Sequence, residues 1–321
     1  MTMTTIRLIL RQHRFAFTTL VSVLGVLIVG CGGMFAWLSL GTAHECLSLG
    51  AAAAQSMPSD RLQALTTQCP GIVDYARTVS AGLSGFAILV PPVAALLVAA
   101  PLVAVEVENG TATLAWTLAR SRRAWLAPRV VLVVGIVMLM TLIVALLLDG
   151  LRWRIELEPM SQSPWASFAD YPNVGAILVA RTMVVVGAGL ASGALLGRQV
   201  PALVLGGLLT LLITLGFSGL DDQLNHANAG PIPDGRSGLV LDTKYRVLAT
   251  GELLNIWELP EADQDPSTPG WDTRYAWVSI GLEDSQAPLV VGRNLVFHGG
   301  AALALVGLTF VVVERRRPYL S

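Results

Sequence analysis

Six stretches of the chain carry almost no charge: 15–43, 78–105, 130–148, 174–197, 199–220 and 294–313. A helix needs about 20 apolar residues to cross a bilayer. The pattern therefore predicts six membrane-spanning helices, over 15–40, 80–105, 129–148, 174–197, 200–220 and 294–313. The third stretch is short and the fourth contains Arg181, yet each suffices on its own. Composition agrees, with 54% hydrophobic residues, 13% charged residues and a mean hydropathy of +0.63, against about a quarter charged in a soluble domain. The expected fold class is an all-α integral membrane protein, a single transmembrane domain over 1–321. Its two long polar connections are 106–128, between spans two and three, and 221–293, between spans five and six.

Arg7, Arg11 and Arg14 precede the first stretch as the charged start of a cleaved signal would, and "IVGC" ending at Cys31 resembles a lipidation site. Against both, the run stays apolar through Gly32, Met34, Phe35, Ala36, Trp37 and Leu38, where a mature secreted chain turns polar. A retained span is expected.

Positive residues in short loops stay cytoplasmic. With the N-terminus inside, the six spans place eleven arginines and three glutamates on the inner side, a net +8, and leave a net −9 elsewhere. The total of −1 hides this asymmetry. Its sign orients both termini into the cytoplasm, in a bacterial cell membrane. Cys31 falls within the first span, whereas Cys46 and Cys69 share the first outer loop. A disulfide between them would contribute about 3 kcal/mol by the chain-entropy account in an oxidising compartment; two free thiols are the plainer alternative.

Smaller patterns refine the layout. Arg7, Arg11 and Arg14 share a helical face within "TIRLILRQHR", which suits a helix over 1–14 lying on the inner membrane surface, or a merely basic flank. Pro91, Pro92 and Pro101 favour kinks in the second span. Gly189, Gly193 and Gly197 recur every fourth residue and form a stripe that another helix can approach closely. The partner expected is another span of the same chain, with a subunit contact as the second option. The 221–293 loop holds six prolines and twelve carboxylates against five basic residues. It also has Tyr245, Trp257, Trp271, Tyr275 and Trp277, so a partly ordered cap of short helices and turns is expected.

Chemistry is scarce. The single lysine, Lys244, has no phosphate-cradling glycine loop before it, so the chain does not hydrolyse ATP by that route. No H-E-x-x-H or C-x-x-C occurs, and His13, His44, His226 and His298 are scattered. Metal, protease and nucleic-acid roles are not expected. Ion-coupled carriers generally place carboxylates within the membrane, and none of the six stretches has an Asp or Glu in its interior. Arg181 either snorkels to the outer surface or contacts an anionic substrate.

One segment stands apart: "EVENGTATLAWTLARSRRAWLAPR", Glu106 to Arg129. Asn109-Gly110 reads as a turn, Thr111 or Thr113 as a helix cap, and Pro128 as the first turn of the third span. Leu114, Leu118 and Trp125 fall near one helical face, with Thr113, Thr117 and Arg120 on another. A lipid-headgroup anchor built on Arg and Trp is the alternative. The run "APLVAVEVENGTATLAWTLARSRRAWL" resembles the cytoplasmic loop of actinobacterial ATP-binding-cassette (ABC) type-2 exporter permeases, which read roughly "APLLARELEXGTHRLAWTQSVTRRRWL". The "RQHR" at Arg11 to Arg14 and "RQVPAL" at Arg198 to Leu203 add to it. The family's His-Arg after Gly-Thr is Ala-Thr here, and its Gln-Ser is Leu-Ala.

That resemblance implies a permease subunit whose coupling helix docks on a separate ATPase. Glu106 and Glu108 would mark the membrane exit, Thr111 the helix start, and Trp116, Arg120, Arg122, Arg123 and Trp125 the docking surface. Two ATPase subunits holding ATP and Mg would assemble with two permease subunits, identical or not, in the lipid bilayer. The cargo would be a drug, peptide or lipid-like molecule, and this chain would hold no cofactor. An ion-coupled transporter and a non-transporting anchor or regulatory subunit are the alternatives.

Overall fold

The computed structural model describes residues 14–40, 59–155, 175–233, 238–266 and 268–316, together with Arg11 and Cys46. Most of the expected surface helix over 1–14 lies outside the described residues. Among them, six helices are long and apolar enough to cross a membrane: α1 (Arg14–Leu38), α2 (Ser59–Glu108), α4 (Arg122–Ile155), α5 (Gly175–Leu196), α6 (Gln199–Asn228) and α7 (Ala287–Arg315). A short helix, α3 (Thr111–Leu118), joins α2 to α4.

Several helices outrun their apolar stretches. α2 has 50 residues and runs through Pro91, Pro92 and Pro101. α4 starts at Arg122, so Pro128 lies inside the helix rather than in its first turn. Ser121 explains the early start, because its hydroxyl accepts the Ala124 N–H at 3.1 Å and its carbonyl accepts the Trp125 N–H at 3.1 Å. α6 runs past Leu220 to Asn228, and α7 begins before Asn294, at Ala287.

α5 is the hub, packed by α2, α4, α6 and α7. Its stretch "VVVGAGLASGA", 184–194, is apolar and mostly small on every side and is buried all round. A Cβ on Gly189 would sit 3.0 Å from the Ala100 nitrogen of α2, and one on Gly187 would sit 2.9 Å from Leu305 Cβ of α7. Gly193 also abuts the Ala100 carbonyl. The stripe thus holds α2 through Gly189 and Gly193. Gly197 serves another purpose, since at φ 62 it ends α5 in the left-handed conformation that favours glycine at a helix C-terminus. By contrast α6 shows Val200, Val204, Leu208, Leu211 and Leu215 along an exposed apolar face, as suits contact with lipid.

The segment after α6 corrects the expected cap of helices and turns. It is a four-stranded antiparallel sheet with short 3-10 turns, in the order β1 (Gly230–Pro231), β4 (Tyr275–Glu283), β2 (Gly238–Val247), β3 (Leu253–Leu254). In β2, Thr243, Tyr245 and Val247 alternate with Asp242, Lys244 and Arg246, the two-residue period of a strand with unlike faces. Tyr245 and Tyr275 pack with Trp271 and Leu259 in one small core. A bulge between Val240 and Asp242 brings Leu239 opposite Leu282, and both pack on Ile177, Ala287 and Val290 at the ends of α5 and α7. The sheet is therefore seated on the helices. Cys46 and Cys69 are joined in a disulfide with Cα atoms 5.3 Å apart, and Cys31 is a buried free thiol.

Candidate functional site

The arginine-rich end of the bundle is built around α3. Gly110, at φ 73, turns the chain out of α2, and the Thr111 hydroxyl donates to the Glu106 carbonyl at 3.0 Å. Beneath the turn lies a buried ion pair. Arg129 donates through Nε to Glu106 Oε1 at 3.2 Å and through Nη2 to Oε2 at 3.4 Å. Its third bond goes from Nη1 to the Trp125 carbonyl at 2.9 Å, and its guanidinium lies 4.4 Å from the centre of the Trp125 ring. Trp125 meets Trp116 edge to face at 5.9 Å, and Arg122 lies 4.8 Å from the Trp116 ring. Stacked cations and aromatics of this kind fasten α3 onto the start of α4.

The remaining charges act mostly on backbone. A helix leaves its last carbonyls and first N–H groups without partners of its own, and three helix ends are satisfied by side chains from other elements. Arg122 Nη1 donates to the Glu314 carbonyl at 3.0 Å and to the Val313 and Arg316 carbonyls at the end of α7. Arg316 Nη1 donates to the Ala194 carbonyl at the end of α5, at 2.5 Å. Glu108 Oε2 accepts the Gln199 N–H at the start of α6, at 2.9 Å, where a negative charge also suits the helix dipole. Arg123 pairs with the Glu314 carboxylate through Nε at 2.9 Å.

This geometry divides the eight residues assigned to the coupling helix and its approaches. Glu106, Trp125 and Arg122 are engaged within the bundle and Trp116 is half-buried, so they support α3 rather than face a partner. Glu108, Thr111, Arg120 and Arg123 are exposed. The residues assigned to one face, Leu114 and Trp125, part company in the structure, with Leu114 exposed and Trp125 buried. Ala112 is buried and packs on the bundle, while Leu114 is 65% exposed. Sequence reasoning missed Arg129, Gln199, Glu314 and Arg316 as members of the network. The charge pattern alone could have pointed to Arg129, whose partner is only 23 residues away.

A second polar cluster lies at the sheet end, with Asp221, Asn225 and Arg293 on residues read as loop and Asn294 and His298 on the expected sixth span. Asp221 and Asn225 of α6 and Asn294 and His298 of α7 are all buried. Arg293 Nε donates to Asp221 Oδ1 at 3.0 Å, and its Nη2 donates to Asn225 Oδ1 at 2.6 Å. Asn294 Nδ2 donates to Asp221 Oδ1 at 2.9 Å. Arg181 of α5 is half-buried. Among the described residues, no group of three His, Cys, Asp or Glu is placed to hold a metal.

No curated protein and no solved structure matches the chain at a significant level. A profile of ABC-2 membrane transporter related proteins matches residues 17–220, which takes in all but the first three residues of α1, the whole of α2 to α5 and most of α6, and stops one residue before Asp221. More than half of the chain, including four complete membrane-length spans, falls within that match, and the chain therefore belongs to the ABC-2 membrane transporter related family.

Proposed function

We propose that this chain is the permease subunit of an ABC exporter, and that α3 is the element through which a separate ATPase drives it. The observation that carries the reading is the setting of α3. An eight-residue helix, too short to be stable alone in water, is fastened from behind by the Glu106–Arg129 pair and the two tryptophans, and shows Leu114 outward. Exposed Arg120 and Arg123 lie close in sequence. An apolar knob beside cationic groups suits a groove with an apolar floor and an acidic rim. Through the ring of helix-end contacts, a push on α3 would reach α4 and, through Arg122 and Arg123, the end of α7.

In this reading the arginine-rich end is cytoplasmic, both termini lie inside the cell membrane, and the sheet is extracellular. Two ATPase subunits, carrying the ATP and Mg, work with two permease subunits, and the cargo is a drug, peptide or lipid-like molecule moved outward. The test places a photo-reactive amino acid at position 114 of the full chain in native membranes. The expected adduct is a protein whose sequence contains the G-x-x-x-x-G-K-[ST] loop, lost on Arg120→Glu with Arg123→Glu. Adducts to lipid alone would replace docking with a headgroup anchor.

A further inference from the structure

We propose that the Asp221–Arg293 pair is the outer latch of the transport pathway: it holds the sheet-side ends of α6 and α7 together, and the pathway opens there when it parts. This rests on the exporter reading, which supplies the pathway. Depth is the first argument. Asp221 lies 22 residues from Gln199, where α6 begins, and Arg293 lies 22 residues from Arg315, where α7 ends. At the rise of an α-helix both are about 33 Å from the arginine-rich end, close to the hydrocarbon thickness of a bilayer. The pair sits at the outer water boundary, where separated charges are rehydrated rather than stranded.

Packing is the second argument. α7 lies along α5 and touches α6 little. What joins α6 to α7 is this polar cluster and, one turn below, Phe217 against Phe297 at 5.7 Å and against His298 at 5.0 Å. The cluster is also cross-helical in detail. The Arg293 guanidinium bridges Asp221 and Asn225 and Asn294 Nδ2 adds a bond to Asp221, while within α7 itself His298 Nδ1 donates to the Asn294 carbonyl at 2.9 Å. A carbonyl only accepts, so Nδ1 carries the hydrogen and the imidazole braces Asn294 from below. If stability alone were needed, an apolar contact would serve as well, because buried ion pairs seldom outperform well-packed hydrophobic residues. A contact that must part and re-form is better made of groups that water accepts.

The test reads opening without cargo or ATPase. His298→Cys, about a turn and a half below the pair, serves as the reporter in the full chain, and its labelling by a membrane-impermeant maleimide is timed in intact cells. Asp221→Asn and Arg293→Gln are each expected to speed labelling about tenfold or more, the response of a closed state that the pair biases. Asn225→Ala should give a smaller rise, and the exchange Asp221→Arg with Arg293→Asp should return the slow rate. Ala145→Cys, buried in α4, is the control. Unchanged rates across the series overturn the latch. So does equal acceleration at positions 145 and 298, which would mean general loosening. If the single variants do not reach the membrane, Asn225→Ala and the exchange decide. Trapping native membranes with ATP and vanadate separates the two ideas: no change in labelling at position 298 of the otherwise unaltered latch counts against ATP-driven export while leaving the latch standing.

Discussion

The two buried ion pairs invite comparison, because both join neighbouring membrane helices and yet they fasten different things. Glu106 and Arg129 are 23 residues apart and close a tight hairpin of α2, α3 and α4, with Trp125 stacked on the guanidinium. Asp221 and Arg293 are 72 residues apart, separated by the whole sheet, and join helices that otherwise meet little. Closing a longer loop costs more chain entropy, and here fewer surrounding contacts offset it. The first pair therefore reads as a fixed rivet beneath α3. The second is the weaker seam, which is where a moving protein is expected to part.

The largest effect should come from breaking the rivet. Arg129→Ala takes the paired cation from the buried Glu106 carboxylate, and removal of one partner from such a pair typically costs about 3–5 kcal/mol. Thermal unfolding of the purified chain should show it, with Glu106→Leu plus Arg129→Leu recovering much of the loss. A cost below that of Asn225→Ala would reverse the comparison. Next is the Cys46–Cys69 bridge, with 23 residues of separation, worth about 3 kcal/mol by the chain-entropy account. Reductant should lower the thermal midpoint of the natural chain and leave a Cys46→Ser, Cys69→Ser variant unmoved. It should not speed maleimide labelling at position 298, since the bridge does not touch the α6–α7 seam.

How much of this was visible in the sequence differs between the ends. The six spans follow from apolar runs, because lipid imposes length and composition on each helix separately. Helix ends escaped that logic: α6 continues through Asp221 and Asn225 because Arg293 and Asn294 satisfy them from another helix, a fact of tertiary structure. The sheet was within reach, since Thr243, Tyr245 and Val247 alternate with Asp242, Lys244 and Arg246. Its many prolines and carboxylates drew attention from the period. At the other end the segment from Glu106 to Arg129 declared itself by its charge, but the inward turn of Arg122 depends on α7 carbonyls nearly two hundred residues away. No local pattern encodes that partner.

At the sheet end a smaller effect is expected from Tyr275. Its hydroxyl donates to the buried Asp263 carboxylate at 2.8 Å, which also receives Arg274 at 2.6 Å. Donation to Asp263, then desolvation and that carboxylate's charge, hold the phenol above its ordinary value, against a lowering influence from Arg274. A raised folded value means that the stabilisation is fully present below the unfolded value near 10 and is lost as pH rises through the folded one. The sheet should therefore weaken under alkaline conditions before α1 to α5 do, followed by tryptophan fluorescence from the Trp271 core. Tyr275→Phe should lower the thermal midpoint slightly near neutral pH and remove that alkaline dependence. An identical alkaline profile in the variant would assign the weakening to other groups.

The smallest effect separates two adjacent arginines that sequence treats alike. Arg123 and Glu314 have side chains 64% and 49% exposed, and an exposed pair contributes little, so Arg123→Ala should change stability by less than about 0.5 kcal/mol. Arg122 is half-buried, lies over Trp116 and supplies the end of α7 with its carbonyl partner. Losing a helix-end contact of that kind costs about 1 kcal/mol, so Arg122→Ala should be the more destabilising of the two. In the docking assay the order should invert: Arg123→Ala is expected to weaken cross-linking at position 114 while costing the fold little, because the ion pair it gives up with Glu314 is exposed. Equal stability losses would place both residues in the same role. If Arg122→Ala alone abolished cross-linking while the fold stayed intact, Arg122 would belong to the docking surface itself, and its reach to α7 would be the contact that yields when the partner arrives.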